Sequence, residues 1–301
     1  MRISEIISRS NDNFDITDTL KEEEFESLAL ASADLDFSFC TFIDNEKYVD
    51  NISKSARMIV TTDKIAKLIN DRGICISKNP RISFFKLHNH LSKKDYYTKK
   101  YDFNSQIGHN CNISKLAHIS EKNVKIGDNV TIEEFVAIKE NTVIGDNCVI
   151  RAGAILSGEG FEFKRTENKE ILFAKHCGKL IVKDNVEIQY NTCVDKAVYP
   201  WDETIIGEYS KLDNLVHIGH AAKIGDRCLL AANSLIGGRT VIGDDTWVGV
   251  SSTVSNGLII GKGANLNIGC VVTKDVEDGM SVTGNFAIEH KKFIEFIKTI
   301  R

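Results

Sequence analysis

Residues 206–242 read IGEYSKLDNLVHIGHAAKIGDRCLLAANSLIGGRTVI, and every sixth residue of that stretch is aliphatic. The series Ile206, Leu212, Ile218, Ile224, Leu230, Ile236 and Ile242 continues through Val248, Val254, Ile260, Leu266 and Val272. A helix repeats at about 3.6 residues and a strand at about 2, so neither demands an aliphatic at each sixth position over so long a run. The pattern is an internal repeat. Four places after each aliphatic the residue is small: Ser210, Val216, Ala222, Cys228, Ser234, Thr240, Thr246, Ser252, Ala264 and Cys270, with Leu258 the exception. One large and one small inward side chain per hexapeptide suit a triangular coil with three short faces and three corners, stacked as a solenoid.

Working outward, the repeat opens at Ile107, Ile113 and Ile119, slips by one residue, and resumes through Ile126, Ile132, Ile138, Ile144, Ile150 and Leu156. The phase is lost until Val182, so residues 157–181 are expected to leave the coil as a loop or hairpin, where a repeat protein commonly builds a site. Val182, Ile188 and Val194 restore it. Pro200 then falls on the core column beside Trp201, which implies a local bulge or corner.

The chain of 301 residues carries 38 Lys+Arg against 42 Asp+Glu, a balance that offers no broad basic field for nucleic acid and favours a small-molecule substrate. Met1 to Asn11 contains Arg2, Glu5 and Arg9 and lacks the apolar core of a signal peptide, and no run reaches membrane-spanning length. A soluble, cytoplasmic protein is expected. Of the eight cysteines, Cys111, Cys148, Cys228 and Cys270 fall in the small inward column, and no C-x-x-C or His/Cys cluster of zinc type occurs. They read as reduced packing residues, with no metal and no bound cofactor expected.

Residues 1–100 do not show the repeat and read as a small α/β domain. Leu20–Phe25 and Ile65–Ile69 are expected to be helical, and Ala56–Thr61 and Gly73–Ser77 to be strands. Leu87–Tyr101, with Lys93, Lys94, Lys99 and Lys100, reads as a polar connecting helix. The coil is expected over 101–284, and 285–301 ends the chain with a helix over Ile288–Ile300 that carries Lys291, Lys292, Lys298 and Arg301.

The repeat resembles that of the hexapeptide-repeat acyltransferases, which implies a mainly β fold: a left-handed parallel β-helix with three hexapeptides per coil. The run Phe39–Tyr48 followed by Ala56–Val60 resembles the nucleotide-binding domain of the UDP-3-O-(3-hydroxyacyl)glucosamine N-acyltransferases of the lipid A pathway, the LpxD family. That resemblance implies that Phe42, Asn45 and Tyr48 hold the uridine, which the chemistry suits: an aromatic face stacks on a pyrimidine and an amide pairs with its edge. The same two rings could equally be core aromatics. Asn79–Phe84 resembles the end of the family's domain, and Gly158-Glu159-Gly160-Phe161-Glu162-Phe163 its substrate-contacting insertion, with Glu162 where glycine is usual. Gly160 and Phe161 are therefore candidate substrate contacts.

His217 and His220 lie one before and two after the inward Ile218, and so outside the coil. Asp213–Gly225 matches the family's pattern, which implies that His220 is the catalytic histidine, although Ala221 stands where asparagine is usual and His217 where glutamine is. His217 is the other candidate base or a phosphate contact. One coil above His220, about 4.8 Å away, falls Gly238, whose backbone N–H is unobstructed and suits an oxyanion. One coil below falls Asp202, where a carboxylate would orient the imidazole, if the coil length holds across Pro200.

The expected chemistry is direct acyl transfer from an acyl-CoA or acyl carrier protein thioester to the amine of a UDP- or dTDP-linked amino sugar. The family's second histidine, two coils on, is replaced by Ser255-Asn256-Gly257-Leu258, so the acceptor stays open between the lipid A precursor and amino-dideoxy sugars of surface polysaccharides. The resemblance also implies a homotrimer, for which Trp247 is a candidate exposed contact. Two other readings fit a hexapeptide coil: a metalloenzyme like the γ-type carbonic anhydrases, which need three zinc-binding histidines, and a non-catalytic assembly module.

Overall fold

A computed structural model describes residues 1–98, 102–284, 287 and 289–300. The chain divides into two units: Met1–Asp102 with Glu159–Gly178 and Ala197–Asp202, and Phe103–Gly158 with Lys179–Lys196 and Glu203–Arg301. The expected boundaries at 100 and 284 thus give way to an interleaved division, in which two excursions from the coil fold with the N-terminal residues.

In the first unit, β1 (Ile16–Lys21), β2 (Ser27–Leu28), β3 (Phe39–Ile43), β4 (Ala56–Thr61) and β5 (Gly73–Ser77) form a sheet in the order β1-β5-β4-β3-β2. Only β1 runs antiparallel to its neighbour. The strands expected at 56–61 and 73–77 are found in place. Leu20–Phe25 is not helical: Leu20 and Lys21 end β1, because pairing with β5 prevails over the helical propensity of the glutamates. The helices are α1 (Ile3–Ser8), α2 (Asp63–Ala66), α3 (Pro80–Leu91) and α4 (Asp95–Thr98). Lys99, Lys100 and Tyr101 of the expected connecting helix lie outside the described residues, and the rest of it is the end of α3, a break and α4. Asn79 caps α3 by accepting the Ile82 N–H at 3.4 Å, and Pro80 opens it.

Phe84, Phe85, Leu87 and Leu91 of α3 pack with Phe25, Leu28, Cys40, Met58 and Val60, and with Ala174, Val198 and Tyr199 from the excursions. The longer excursion is a hairpin, Phe163–Arg165 against Ile171–Phe173. Asn89 clamps it, donating to the Phe173 carbonyl at 2.7 Å and accepting from the Lys175 N–H at 2.9 Å. His88 is fully buried between the Lys175 carbonyl at 2.7 Å and the Tyr97 hydroxyl at 2.8 Å, and burial lowers its pKa to about 4.

The second unit is a left-handed parallel β-helix. Three parallel sheets of nine, eight and eight short strands form its faces. Ile206, Ile224, Ile242 and Ile260 pair in one, Leu212, Leu230, Val248 and Leu266 in the next, and Ile218, Ile236, Val254 and Val272 in the third, all with side chains buried in one core. All eight cysteines are free thiols, and Cys148, Cys228 and Cys270 are buried in the core. From Ile206 to Leu266 the residue three after each aliphatic turns the corner with positive φ, as at Leu215, Ala221, Arg227 and Asn233, and Asn129 and Asn147 do the same earlier in the coil.

At one corner, Gly127, Gly145, Gly207, Gly225, Gly243 and Gly261 follow the aliphatic, and here the coils nearly touch. A Cβ on Gly225 would lie 2.6 Å from the Asp244 nitrogen and 2.8 Å from the Gly243 carbonyl carbon. The following aspartates stitch this corner vertically: Asp146, Asp184, Asp226 and Asp244 each accept a backbone N–H from the coil before, at 2.8, 2.8, 2.8 and 3.1 Å.

Ile144 pairs with Val182 and Val182 with Ile206, so the two coils that carry excursions are longer than their neighbours by the twenty residues 159–178 and the six residues 197–202, while the stacking continues. The chain's last helix, α5 (His290–Thr299), exposes Phe293 and Phe296; Ile288 and Arg301 lie outside the described residues. Among the described residues no helix is long and apolar enough to cross a membrane.

Gly225→Ala is expected to lower stability by about 3 kcal/mol through this backbone collision. Gly257→Ala has nothing within 4 Å of its Cβ and should cost only about 1 kcal/mol for its φ of +72°. Denaturant midpoints of the two variants check the contrast.

Candidate active site

The strand pairing sets His217 against Cys193 below and Leu235 above, all facing outward. Three residues on, His220 lies in the corner that Ala221 turns at φ +59°. This corner is fixed by backbone bonds: Thr204 Oγ1 accepts the Ala221 N–H at 2.8 Å, and the His220 carbonyl accepts the Arg239 N–H at 2.8 Å.

The imidazole of His220 rests on Gly238. A Cβ there would stand 2.8 Å from Nε2, 2.9 Å from Cε1 and 3.0 Å from Cδ2, so only glycine admits the ring in this position. At the aspartate corner the equivalent N–H groups are taken up by carboxylates of the next coil. Asn256 occupies that place above Gly238, and among the described residues nothing accepts the Gly238 N–H.

Asp195 is the residue that sequence reasoning missed. It is 4% exposed, and its Oδ2 lies 3.6 Å from His217 Nε2. Burial raises its pKa above the ordinary carboxylate value, against the opposing pull of His217 and then His220. The Cys193 thiol donates weakly to Oδ1 at 3.9 Å, and burial, reinforced by Asp195, pushes that thiol up to about 11. Cys193 therefore stays a thiol near neutrality. Gly158 leaves room for the carboxylate: a Cβ there would be 2.7 Å from Oδ1.

Asp202 does not belong to this unit. It ends the six-residue excursion, and while Ile205 pairs with Lys223 at the ordinary coil length, Cys193 pairs with His217 across a longer step. The signal for Asp195 was present all the same, since it follows Val194, the core residue that pairs with Ile218.

The remaining candidates lie in the first unit. Phe42 is half-buried on β3, with its ring 5.0 Å from that of Phe84 and 6.3 Å from that of Phe85. Asn45 caps a short 3-10 turn, its Oδ1 accepting the Lys47 N–H at 3.1 Å, and Tyr48 is exposed with the Lys47 ammonium 4.7 Å over its ring. On the excursion, Gly160 donates its N–H to His176 Nε2 at 3.2 Å, while the Phe161 ring is 90% exposed and 4.9 Å from that of Phe163. Among the described residues no three His, Cys, Asp or Glu side chains are grouped to hold a metal ion.

The model of the bacterial transferase hexapeptide (six repeats) matches residues 123–158 and 203–238, and that of the hexapeptide repeat of succinyl-transferase matches 239–274. The chain is 39% identical over 80 residues to UDP-3-O-acylglucosamine N-acyltransferase of Campylobacter lari, covering 27% of this chain and 24% of that protein. It is 35% identical over 210 residues to the protein of the same name from Fusobacterium nucleatum subsp. nucleatum, covering 63% and 62%. The matches thus span from about a quarter to under two thirds of these relatives' length. A solved Arabidopsis UDP-N-acetylglucosamine acyltransferase is similar with a TM-score of 0.50 at 25% identity, over 60% of this chain and 68% of that one. By repeat, fold and sequence the chain resembles the LpxD-type hexapeptide acyltransferases.

A carboxylate whose folded pKa is raised contributes stability below its unfolded pKa and loses it as pH rises through the folded value. Asp195→Asn removes that buried charge and is expected to unfold at a higher denaturant midpoint than the parent at pH 8, the gain vanishing below about pH 4. Gly238→Ala should leave the unfolding midpoint within about 1–3 kcal/mol of the parent while displacing the ring, seen as shifted His220 resonances in NMR spectra.

Proposed function

We propose that this LpxD-type hexapeptide-repeat chain is a nucleotide-sugar N-acyltransferase, taking an acyl group from acyl-CoA or acyl carrier protein to the amine of a UDP- or dTDP-linked amino sugar, in lipid A or surface-polysaccharide synthesis. The observation that carries this reading is the His220 imidazole resting on Gly238, whose N–H has no acceptor among the described residues. A base and an oxyanion donor at one corner suit attack on a thioester. The relatives' names support the acceptor class.

The sugar amine attacks the thioester carbonyl as His220 takes a proton from it. The carbonyl oxygen gathers negative charge and is held by the Gly238 N–H. The intermediate then collapses, the carbon–sulfur bond breaks, and the thiolate leaves and is protonated by the imidazolium. Asp195, 3.6 Å from His217, offers a carboxylate beside the path of the proton. No covalent acyl-enzyme is needed, in keeping with the raised pKa of Cys193.

Phe42, Asn45 and Tyr48 take the nucleotide in this scheme, and Gly160 and Phe161 contact the sugar. A homotrimer is the inferred assembly, supported by exposed Leu229, Leu235, Val241, Trp247 and Ile259 on the coil's faces.

Amide formation is measured with UDP- and dTDP-amino sugars, each with short-chain acyl-CoA or 3-hydroxyacyl carrier protein. His220→Ala is expected to lower kcat by about 10²–10⁴-fold with the fold intact. Turnover that survives the substitution moves the base to His217, and no amide from any donor and acceptor pair sinks the reading.

A further inference from the structure

We infer that His176 is the positioning residue of the longer excursion, holding Gly160 and Phe161 in place for the acceptor sugar. The inference rests on the reading of those two residues as the sugar's contacts.

His176 is 5% exposed, and both of its ring nitrogens meet backbone. Nε2 accepts the Gly160 N–H at 3.2 Å, and Nδ1 stands 3.0 Å from the Ala174 carbonyl oxygen. An amide N–H can only donate and a carbonyl can only accept, so these partners require a neutral imidazole with its proton on Nδ1. One ring thereby ties the outgoing arm of the excursion to the returning arm. Backbone bonds run beside it, from the Ala174 N–H to the Glu162 carbonyl at 2.8 Å and from the Glu162 N–H to the Gly160 carbonyl at 2.9 Å.

The imidazole is also the inner end of a series of rings. Phe173 stacks on it at 5.7 Å between centroids with 17° between the planes, Phe163 lies 5.0 Å from Phe173, and Phe161 lies 4.9 Å from Phe163. The series leads from a buried histidine to a phenylalanine that is 90% exposed. Leaving so large an apolar ring in water is unfavourable, and here the ring is held outward both through the backbone at Gly160 and through its neighbours. That arrangement suits a ring covered by a ligand, and the C–H face of a sugar is a surface that fits it. Loss of the Nε2 acceptor would free Gly160, next to Phe161 in the chain, without touching a reacting group, so its mark is on acceptor binding and not on turnover.

Amide formation by the full-length protein is followed against amino-sugar concentration for the parent, His176→Leu, His176→Gln, Phe161→Ala and the double variant of His176→Leu with Phe161→Ala, with a melting curve for each. His176→Leu should raise KM for the sugar about tenfold while kcat stays within about twofold. Glutamine offers an acceptor and a donor in one planar group, as the neutral imidazole does, and should bring KM back to within about threefold of the parent. Added to Phe161→Ala, the leucine substitution should raise KM no further, because the two act through one contact. A fall in kcat at unchanged KM, equal losses in the leucine and glutamine variants, or additive effects in the double variant would each overturn the inference. Nitrogen NMR of the parent is a check that needs no variant: Nε2 of His176 is expected to carry no proton, and a proton there overturns the inference whatever the activity. If the parent forms no amide from any donor and acceptor pair, the reading of the function falls and the inference with it.

Discussion

The closeness of one coil to the next governs the second unit. Each strand contributes only a residue pair or little more to its ladder, too short to persist alone, and acquires its partners only when coils stack. Stacking that tight is possible because the corner carries glycine where the next backbone passes. It also demands a positive φ in each hexapeptide between Ile206 and Gly269, even from Leu215 and Tyr209. That conformation costs about 1–2 kcal/mol for a residue with a Cβ, and burying the hexapeptide's one aliphatic returns about 1.5–3 kcal/mol.

The same stacking explains how a site is built on so regular an object. Corners can lengthen without disturbing the ladders, and the chain inserts there twice. The flanking strands still pair, so Gly158 and Asp195 are brought to one level and held beside the outward histidines. At the aspartate corner the N–H groups are consumed by the next coil; at Gly238 Asn256 stands in the carboxylate's place, and among the described residues nothing accepts the N–H beneath the His220 ring. Regularity makes the exception chemical.

Most of this was legible in the sequence. Twelve aliphatics in phase specify the coil, and positions relative to Ile218 put His217 and His220 outside it. The unread parts share a cause, namely contacts between residues far apart in the chain. Leu20 and Lys21 join a strand because β5 lies beside them, against their glutamate-rich surroundings. Asp195 is found only when the count follows the paired core residues across the six residues that leave the helix after Lys196.

The small inward column also turns the coil into its own recorder. Cys148, Cys228 and Cys270 sit in three different coils with their sulfurs buried, and burial is the leading cause that raises the thiols of Cys148 and Cys228 to about 11. A thiol reagent cannot reach them until the surrounding coil opens. Each cysteine thus marks its own level of the stack, and the order in which they react gives the direction in which the solenoid frays.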